Sequence, residues 1–280
     1  MSMIDSHHHV WDPSQRRHAW LEDLPSINTA FSLADLRPMA AAADVSGTVL
    51  VQVLNDLDES AEFLALAASD PLVRGVVGWV DLTDSKVADS LAWLAAAPGG
   101  DHLVGIRHLV QAEPEREWLL RADVRRGIAT VGEAGLVYDL LVLPHHLDVA
   151  QKLVGGLPDV RFVVDHMAKP RIAEGELDDW ARDMRLLAQL PNVACKVSGI
   201  LTEAGEDWSP SALLPYVQVV VEAFGPSRLM IGSDWPVSLL ATGYGQVLKT
   251  LRDTLSATGL DGADLQHVLS GTAEDWYTLR

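Results

Sequence analysis

The sequence predicts a (β/α)8 barrel, and three observations lead to this fold class. Eight short apolar segments rich in β-branched residues recur along the 280 residues. Segments with helical spacing separate them, and the strand-to-strand repeat of roughly 26–42 residues matches a βα unit. No glycine-rich phosphate loop follows the first predicted strand, which disfavours the competing open, doubly wound sheet and predicts no organic cofactor. We therefore expect one barrel domain spanning residues 1–280.

The predicted strands cover residues 3–11, 45–53, 73–82, 103–110, 135–142, 161–168, 193–200 and 228–236. Apolar stripes at helical spacing lie between them, and Trp180, Met184 and Leu187 are an example before the seventh strand. The connection 13–43 is long and carries several aromatic residues, including Trp20, so we expect it to cover the barrel mouth.

Composition limits the classes of partner and compartment. The formal net charge of -18 disfavours nucleic acid and anionic membrane surfaces, since both need a basic footprint. Cys195 is the single cysteine, which excludes an intramolecular disulfide and a cysteine-rich metal site. The sequence shows neither a secretory leader nor a long apolar span, so we expect a cytoplasmic protein that does not contact membranes.

The first predicted strand contains three consecutive histidines. Successive side chains of a strand point to opposite faces, so His7 and His9 share a face with Asp5 while His8 points away. Burying such groups unpaired would cost roughly 2–7 kcal/mol each. This pattern favours a catalytic or binding site over the remnant of a purification tag or a buried histidine cluster whose polar groups are all hydrogen-bonded.

Polar residues also follow other strands at their carboxyl ends, the face that carries active sites in this architecture. The segments concerned are Gly105-Ile-Arg-His108, Tyr138-Asp139, Val164-Asp-His166, Lys196-Val-Ser198 and Gly232-Ser-Asp234. A carboxylate at a strand end can take a proton from water, so Asp234 is the candidate general base, with a helix cap as the alternative. His166 completes a triangle with His7 and His9.

For four further residues the sequence gives weaker grounds for a role in substrate binding or catalysis. Arg107 can hold a carboxylate or carbonyl oxygen, or form a structural ion pair. Lys196 is equally consistent with a structural and a functional role. Tyr138 can donate to substrate or fill the barrel. Asp165 alternates away from His166, which predicts a structural role.

Taken together, these motifs resemble the amidohydrolase superfamily, in particular its branch of sugar-lactone and pyrone-dicarboxylate lactonases, which includes L-fucono- and L-rhamnono-lactonases. The resemblance spans the whole chain. It rests on Asp5-x-His7-x-His9-x-Trp11, Gly105-Ile-Arg107-His108, Val164-Asp165-His166 with Lys169-Pro170, Lys196-x-Ser198-Gly199 and Gly232-Ser233-Asp234-Trp235-Pro236.

The resemblance implies a lactone hydrolase that acts on a small sugar aldonolactone. It places His7, His9 and His166 around the scissile carbonyl and assigns Asp234 to the attacking water. An oxyanion needs preformed donors or a cation, and imidazoles or a metal supply either. Substrate contacts are then expected from Arg107, Tyr138, Lys196, Trp11 and Trp235.

The chain departs from the family pattern for two metals. Binuclear members carry a carboxylated lysine or a glutamate after the fourth strand, where this chain has Arg107 and His108. We therefore expect no binuclear site. A single Zn²⁺ held by His7, His9, His166 and Asp234 remains one alternative, and a metal-free site with the same histidines as donors is the other.

Two other functions remain open at this point. The same fold supports metal-dependent decarboxylases and amidases, which would require a metal and release CO₂ or ammonia. A barrel that only binds a sugar acid is the third possibility. The carboxylate of Asp234 argues against pure binding, because a binding site gains nothing from a base beside an electrophile.

Overall fold

The computed structural model describes residues 2–206 and 208–279, and its centre is an eight-stranded parallel sheet. Each strand pairs with the next one along the chain, from β1 to β8. At least one helix lies in every crossover, as parallel neighbours require. The predicted (β/α)8 barrel is confirmed.

The strands are β1 (Met3–His8), β2 (Val45–Val51), β3 (Val73–Gly78), β4 (Leu103–His108), β5 (Val137–Leu140), β6 (Phe162–Val164), β7 (Val193–Val197) and β8 (Leu229–Ile231). The helices are α1 (Leu33–Ala42), α2 (Leu57–Ser69), α3 (Val87–Ala96), α4 (Ala122–Glu133), α5 (Leu147–Gly156), α6 (Asp178–Ala188), α7 (Ile200–Glu203), α8 (Pro210–Phe224), α9 (Tyr244–Ala257), α10 (Gly262–Gln266) and α11 (Thr272–Tyr277). Across the described ranges, no helix combines the length and apolar character needed to cross a bilayer.

Backbone hydrogen bonds between the ends of β1 and β8 close the barrel. The N–H of His9 donates to the carbonyl of Trp235 at 2.7 Å, and the N–H of Asp234 donates to the carbonyl of His7 at 2.8 Å. Closure of the barrel therefore places Asp234 directly beside His7 and His9.

Below the polar and charged residues of this end, the barrel interior is apolar. Its inner side chains are Ile4, Val49, Val51, Val77, Val104, Val137, Val163, Ala194 and Met230, together with Ala273, Trp276 and Tyr277 from α11. A separate apolar layer packs the outer face of the sheet against the helices. The helix α11 thus fills the lower end, and substrate can approach only from the carboxyl ends of the strands.

All eight predicted strands are present, but several end earlier than predicted. The sixth was expected over 161–168 and spans Phe162–Val164, and the eighth was expected over 228–236 and spans Leu229–Ile231. The reason is local conformation, because His166 and Asp234 have positive φ angles of 52° and 56°. Residues in that region cannot continue a strand.

Candidate active site

Four side chains converge where the strands end, and we call His7, His9, His166 and Asp234 the mouth cluster. The Oδ1 of Asp234 lies 3.5 Å from Nε2 of His9 and 3.8 Å from Nε2 of both His7 and His166. The Nε2 atoms of His7 and His9 are 3.1 Å apart. These are the four residues that the sequence predicted as catalytic, and the structure brings them together.

The strand β1 presents two imidazoles to the mouth and fixes the tautomer of one. The Nδ1 of His9 lies 2.8 Å from the carbonyl oxygen of Val51, which can only accept, so Nδ1 carries the proton. In neutral His9 the Nε2 lone pair can accept a hydrogen bond from His7 Nε2, 3.1 Å away, whereas a hydrogen bond to Asp234 would need a proton on Nε2 as well. His8 points to the outer face, as predicted, where its Nε2 lies 2.9 Å from the Thr48 hydroxyl.

Asp5 does not join the mouth cluster, contrary to the simple alternation expected for β1. The pairing register with β2 is irregular between Asp5 and His8, which breaks the alternation. The Asp5 carboxylate instead accepts hydrogen bonds from the N–H and hydroxyl of Ser233, at 2.8 and 2.6 Å, and from the Tyr244 hydroxyl at 3.0 Å. Asp5 thereby anchors the loop that carries Asp234.

A left-handed turn after β6 delivers His166. Four consecutive residues, from His166 to Lys169, have φ between 52° and 57°. Non-glycine residues pay roughly 1–2 kcal/mol each for this conformation. The Nδ1 of His166 lies 2.9 Å from the Ser198 hydroxyl. A Cβ on Gly199 would stand 2.7 Å from that Nδ1, so glycine is needed where the β7 end passes the ring.

Beneath the mouth cluster lies a second set of polar groups, which we call the charge network: Arg107, Asp139, Asp165 and Lys196. The ammonium of Lys196 is 2.6 Å from Asp139 and 3.0 Å from Asp165. Arg107 Nη1 is 3.0 Å from Asp165. The Tyr277 hydroxyl of α11 donates to Asp139, 2.8 Å from both carboxylate oxygens. Two cations and two carboxylates, all buried, thus neutralise each other.

His7 connects the two sets. Its Nδ1 lies 3.3 Å from Asp165 Oδ1 and 3.2 Å from Lys196 Nζ, and its Nε2 lies 3.2 Å from Arg107 Nη1. Asp165 accepts from an Nδ1–H, whereas Lys196 donates to a bare Nδ1. With the proton on Nδ1, the bare Nε2 accepts from Arg107; with the proton on Nε2, that proton faces Nε2 of His9, 3.1 Å away. Both neutral tautomers of His7 therefore have partners.

Burial determines the protonation of the mouth cluster. It lowers the pKa of His7 well below the usual range, with Lys196 adding to the effect, and lowers the pKa of His166 to about 4. For Asp234 burial acts to raise the pKa, but the imidazoles of His166, His9 and His7 outweigh it and lower that pKa below its ordinary value. At neutral pH an ionised carboxylate faces His7 and His166 in their neutral forms.

The mouth cluster fits a metal ion. His7, His9 and Asp234 each offer a ligand atom, and these atoms lie within 4.8 Å of one another. Imidazole nitrogen and carboxylate oxygen are ligands that Zn²⁺ accepts. The carbonyl of Val51, bonded to His9 Nδ1, is the kind of partner that orients a ligating histidine.

Three residues predicted to bind substrate lie elsewhere. Tyr138 is fully buried, its ring packs edge-on against Phe162, and it belongs to the layer outside the barrel wall, because its neighbour Asp139 takes the inward position. Trp11 and Trp235 are 5% and 1% exposed and both pack against Phe31. The structure thus places Tyr138 in the outer layer and both indoles against the connection 13–43, and their contact with substrate stays a prediction.

The connection 13–43 lies against the ends of β1 and β8, as the Phe31 contacts show. The other two predicted substrate residues, Arg107 and Lys196, lie directly under the mouth cluster. Their donors are already engaged by the charge network, and Arg107 also donates to the Gln52 side chain and carbonyl, at 3.0 and 2.6 Å.

Sequence reasoning missed Gln52 and did not predict the position of Asp165. Asp165 was expected to have a structural role and to turn away from His166, and it lies in the charge network, ion-paired to Arg107 and Lys196. Gln52 follows β2 directly and holds the Arg107 guanidinium. The signal for Gln52 was available, since it is a polar residue at a strand end like the others.

Comparison with known proteins agrees with this geometry. The family model "Amidohydrolase" matches residues 4–279. The chain is 38% identical to an L-fucono-1,5-lactonase of Burkholderia ambifaria, over 86% of this chain and 83% of the relative. It is 35% identical to an L-fucono-1,5-lactonase of Burkholderia multivorans, over 99% and 96% of the two chains.

Among solved structures, an amidohydrolase from Burkholderia multivorans with bound Zn superposes with a TM-score of 0.93 at 33% identity, with 100% of both chains covered. The same barrel therefore extends over the full length of both proteins. The resemblance inferred from the strand-end motifs is confirmed, and the chain belongs to the amidohydrolase family.

Proposed function

We propose that this hydrolase opens a sugar lactone, an aldonolactone, by water attack on the ring carbonyl. The observation that carries the proposal is the ionised Asp234 carboxylate within 3.8 Å of three imidazole Nε2 atoms, at the open end of the barrel. The L-fucono-1,5-lactonases at 38% and 35% identity support the substrate class.

The proposed reaction uses Asp234 twice. Its carboxylate takes a proton from water while the water oxygen bonds to the lactone carbonyl carbon, which gives a tetrahedral oxyanion. When the oxyanion collapses, the bond from the carbonyl carbon to the ring oxygen breaks. The protonated Asp234 returns its proton to that ring oxygen, and the products are a free hydroxyl and a carboxylic acid that ionises in solution.

The histidines stabilise the oxyanion in this proposal. When Lys196 donates to Nδ1 of His7, the imidazole carries its proton at Nε2 and can donate it to the oxyanion. When Asp165 accepts from Nδ1, the Nε2 lone pair accepts from Arg107 Nη1, and a metal would have to replace that contact. His9 is held with its Nε2 lone pair toward the site by Val51.

We propose that a metal at this site is one Zn²⁺ held by His7, His9 and Asp234, with His166 as a further ligand. Bound there, the ion would polarise the carbonyl and lower the pKa of water. A second ion is disfavoured, because Asp165 is already ion-paired to both Lys196 and Arg107.

A pH-indicator assay over a panel of aldonolactones and pyrone dicarboxylates tests the proposal, with as-purified and chelator-treated enzyme. We expect acid release from at least one aldonolactone. Turnover that persists after verified metal removal identifies the His7 donor mode, whereas turnover restored by Zn²⁺ identifies the metal mode. Acid release from no lactone would refute the proposal and leave the decarboxylase and amidase reactions of this fold.

The variant Asp234→Asn separates catalysis from simple binding. Since the amide cannot take a proton from water, hydrolysis should fall by several orders of magnitude, while equilibrium binding of the aldonate product changes little. Unchanged turnover in Asp234→Asn would exclude Asp234 as the base.

A further inference from the structure

A cavity of about 580 Å³ is lined by residues of the segments that follow β5, β6 and β7. Pockets for small ligands span about 300–1,000 Å³, so a monosaccharide lactone fits within it. Two of its lining residues, Lys169 and Glu203, are fixed by the same backbone that fixes His166, and the proposal concerns this pair.

Lys169 is the last residue of the left-handed turn that begins at His166. Glu203 ends α7, which starts immediately after Gly199, the residue that packs on the His166 ring. The carbonyl of Glu203 also accepts a hydrogen bond from Ala173 N–H at 3.1 Å. Both side chains are thus held at short backbone distance from a residue of the mouth cluster.

The Lys169 ammonium and the Glu203 carboxylate are 3.8 Å apart, and each side chain is about one quarter exposed, at 26% and 27%. At this distance the two groups attract each other without a direct hydrogen bond. Burial raises the pKa of the Glu203 carboxyl, Lys169 lowers it, and the charge of Asp234 raises it, so the pair lies within the field of the mouth cluster.

A hydroxyl group suits this gap, because it can accept from an ammonium and donate to a carboxylate at the same time. The charges lining the cavity favour a neutral ligand. Five lining residues are carboxylates and three are cations: Glu174, Glu176, Asp179, Asp183 and Glu203 against Lys169, Arg171 and Arg182. This excess of carboxylates disfavours dicarboxylate substrates and repels the aldonate product.

We infer that Lys169 and Glu203 form a specificity subsite that binds a ring hydroxyl of a neutral, polyhydroxylated lactone. This inference rests on the proposed lactonase function and adds to it the residues that distinguish a sugar lactone from an unsubstituted one. The strained turn after β6 then serves two purposes, since it places both His166 and Lys169.

The test compares two substrates, a δ-aldonolactone and δ-valerolactone, which has the same ring without hydroxyls. In Glu203→Gln and Lys169→Met, kcat/KM for the aldonolactone should fall roughly 10- to 100-fold, as expected when a hydrogen bond to a charged group is lost. For δ-valerolactone it should stay unchanged. Lys152→Met is the matched control, because it removes the lysine of an exposed pair with Asp148, 3.6 Å apart, on α5.

Equal losses for both lactones would assign the pair a structural role and overturn the inference, as would unchanged kinetics in both variants. If the unaltered enzyme opens δ-valerolactone with the same kcat/KM as the aldonolactone, the subsite is overturned and the lactonase function stays intact. Hydrolysis of neither lactone by the unaltered enzyme would overturn the proposed function and this inference together.

Discussion

The mouth cluster and the charge network lie one above the other in the same barrel, and they differ in how fully their groups are paired. In the charge network, two cations and two carboxylates are bonded to each other at 2.6–3.0 Å. In the mouth cluster, a single carboxylate faces three imidazoles at 3.5–3.8 Å, beyond the usual hydrogen-bond distance.

This difference separates polar groups that stabilise the fold from polar groups that can act on a substrate. Buried ions that satisfy each other mainly avoid a desolvation penalty, and removing one partner is costly. The Asp234 carboxylate, which no imidazole approaches to the usual hydrogen-bond distance, retains capacity for a substrate, a water or a metal. We therefore expect changes in the mouth cluster to act on turnover and changes in the charge network to act on stability.

After Asp234→Asn, the largest effect on turnover is expected from His166→Asn. Asparagine tolerates the positive φ of this position, so the backbone gains no strain, while the imidazole is lost. We expect kcat for the aldonolactone to fall by roughly 10²–10³, the typical loss when one donor to the oxyanion is removed. Urea denaturation should show little change, and a loss of stability as large as that of Lys196→Met would remove the distinction between the two sets.

The largest effect on stability is expected from Lys196→Met. It leaves Asp139 and Asp165 buried without their shared cation, which should cost about 3–5 kcal/mol of unfolding free energy. The exposed Lys249→Met, which breaks an ion pair on α9, serves as control. Adding Asp139→Asn to Lys196→Met should restore part of the loss, and an unchanged denaturation midpoint in Lys196→Met would contradict the pairing argument.

The sequence predicted the mouth cluster because each member lies at or just beyond the carboxyl end of a strand, and eight parallel strands bring these ends to one rim. It offered structural roles for Arg107, Lys196 and Asp165 but could not predict which of them pair, because that depends on which side of the strand each side chain faces. Tyr138 and Asp139 are adjacent, and the side that each faces is decided by register with β4 and β6. The position of Asp165 was not predicted, because four left-handed residues follow it and no glycine in that segment signals them.

Gly199→Ala tests how the mouth cluster is positioned. Both Gly199 and Gly205 have positive φ, 65° and 78°, so alanine at either should cost about 1–2 kcal/mol. A Cβ at 199 also meets His166 at 2.7 Å, whereas among the described residues a Cβ at 205 meets only the Ala173 Cβ at 3.7 Å. Only Gly199→Ala should lose kcat/KM, roughly 100-fold for a displacement near 1 Å. Equal kcat/KM values in the two variants would show that the His166 ring can move aside without loss of catalysis.

The smallest effect concerns His8, which lies between two members of the mouth cluster in sequence but on the outer face of the wall. Burial, with a contribution from His9, lowers its pKa to about 3. The unfolded chain, with a pKa near 6.5, therefore binds more protons between pH 6.5 and 3, and acidification across this window lowers the free energy of unfolding.

The share of His8 in that loss is at most about 1.4 kcal/mol per pH unit. In His8→Asn, unfolding free energies measured in urea from pH 6.5 to 4.5 should fall less steeply than in the unaltered protein. Parallel slopes would mean that His8 keeps its ordinary pKa in the fold. The outer face of β1 would then be more hydrated than its burial indicates. The difference in burial between this face and the mouth cluster would be smaller.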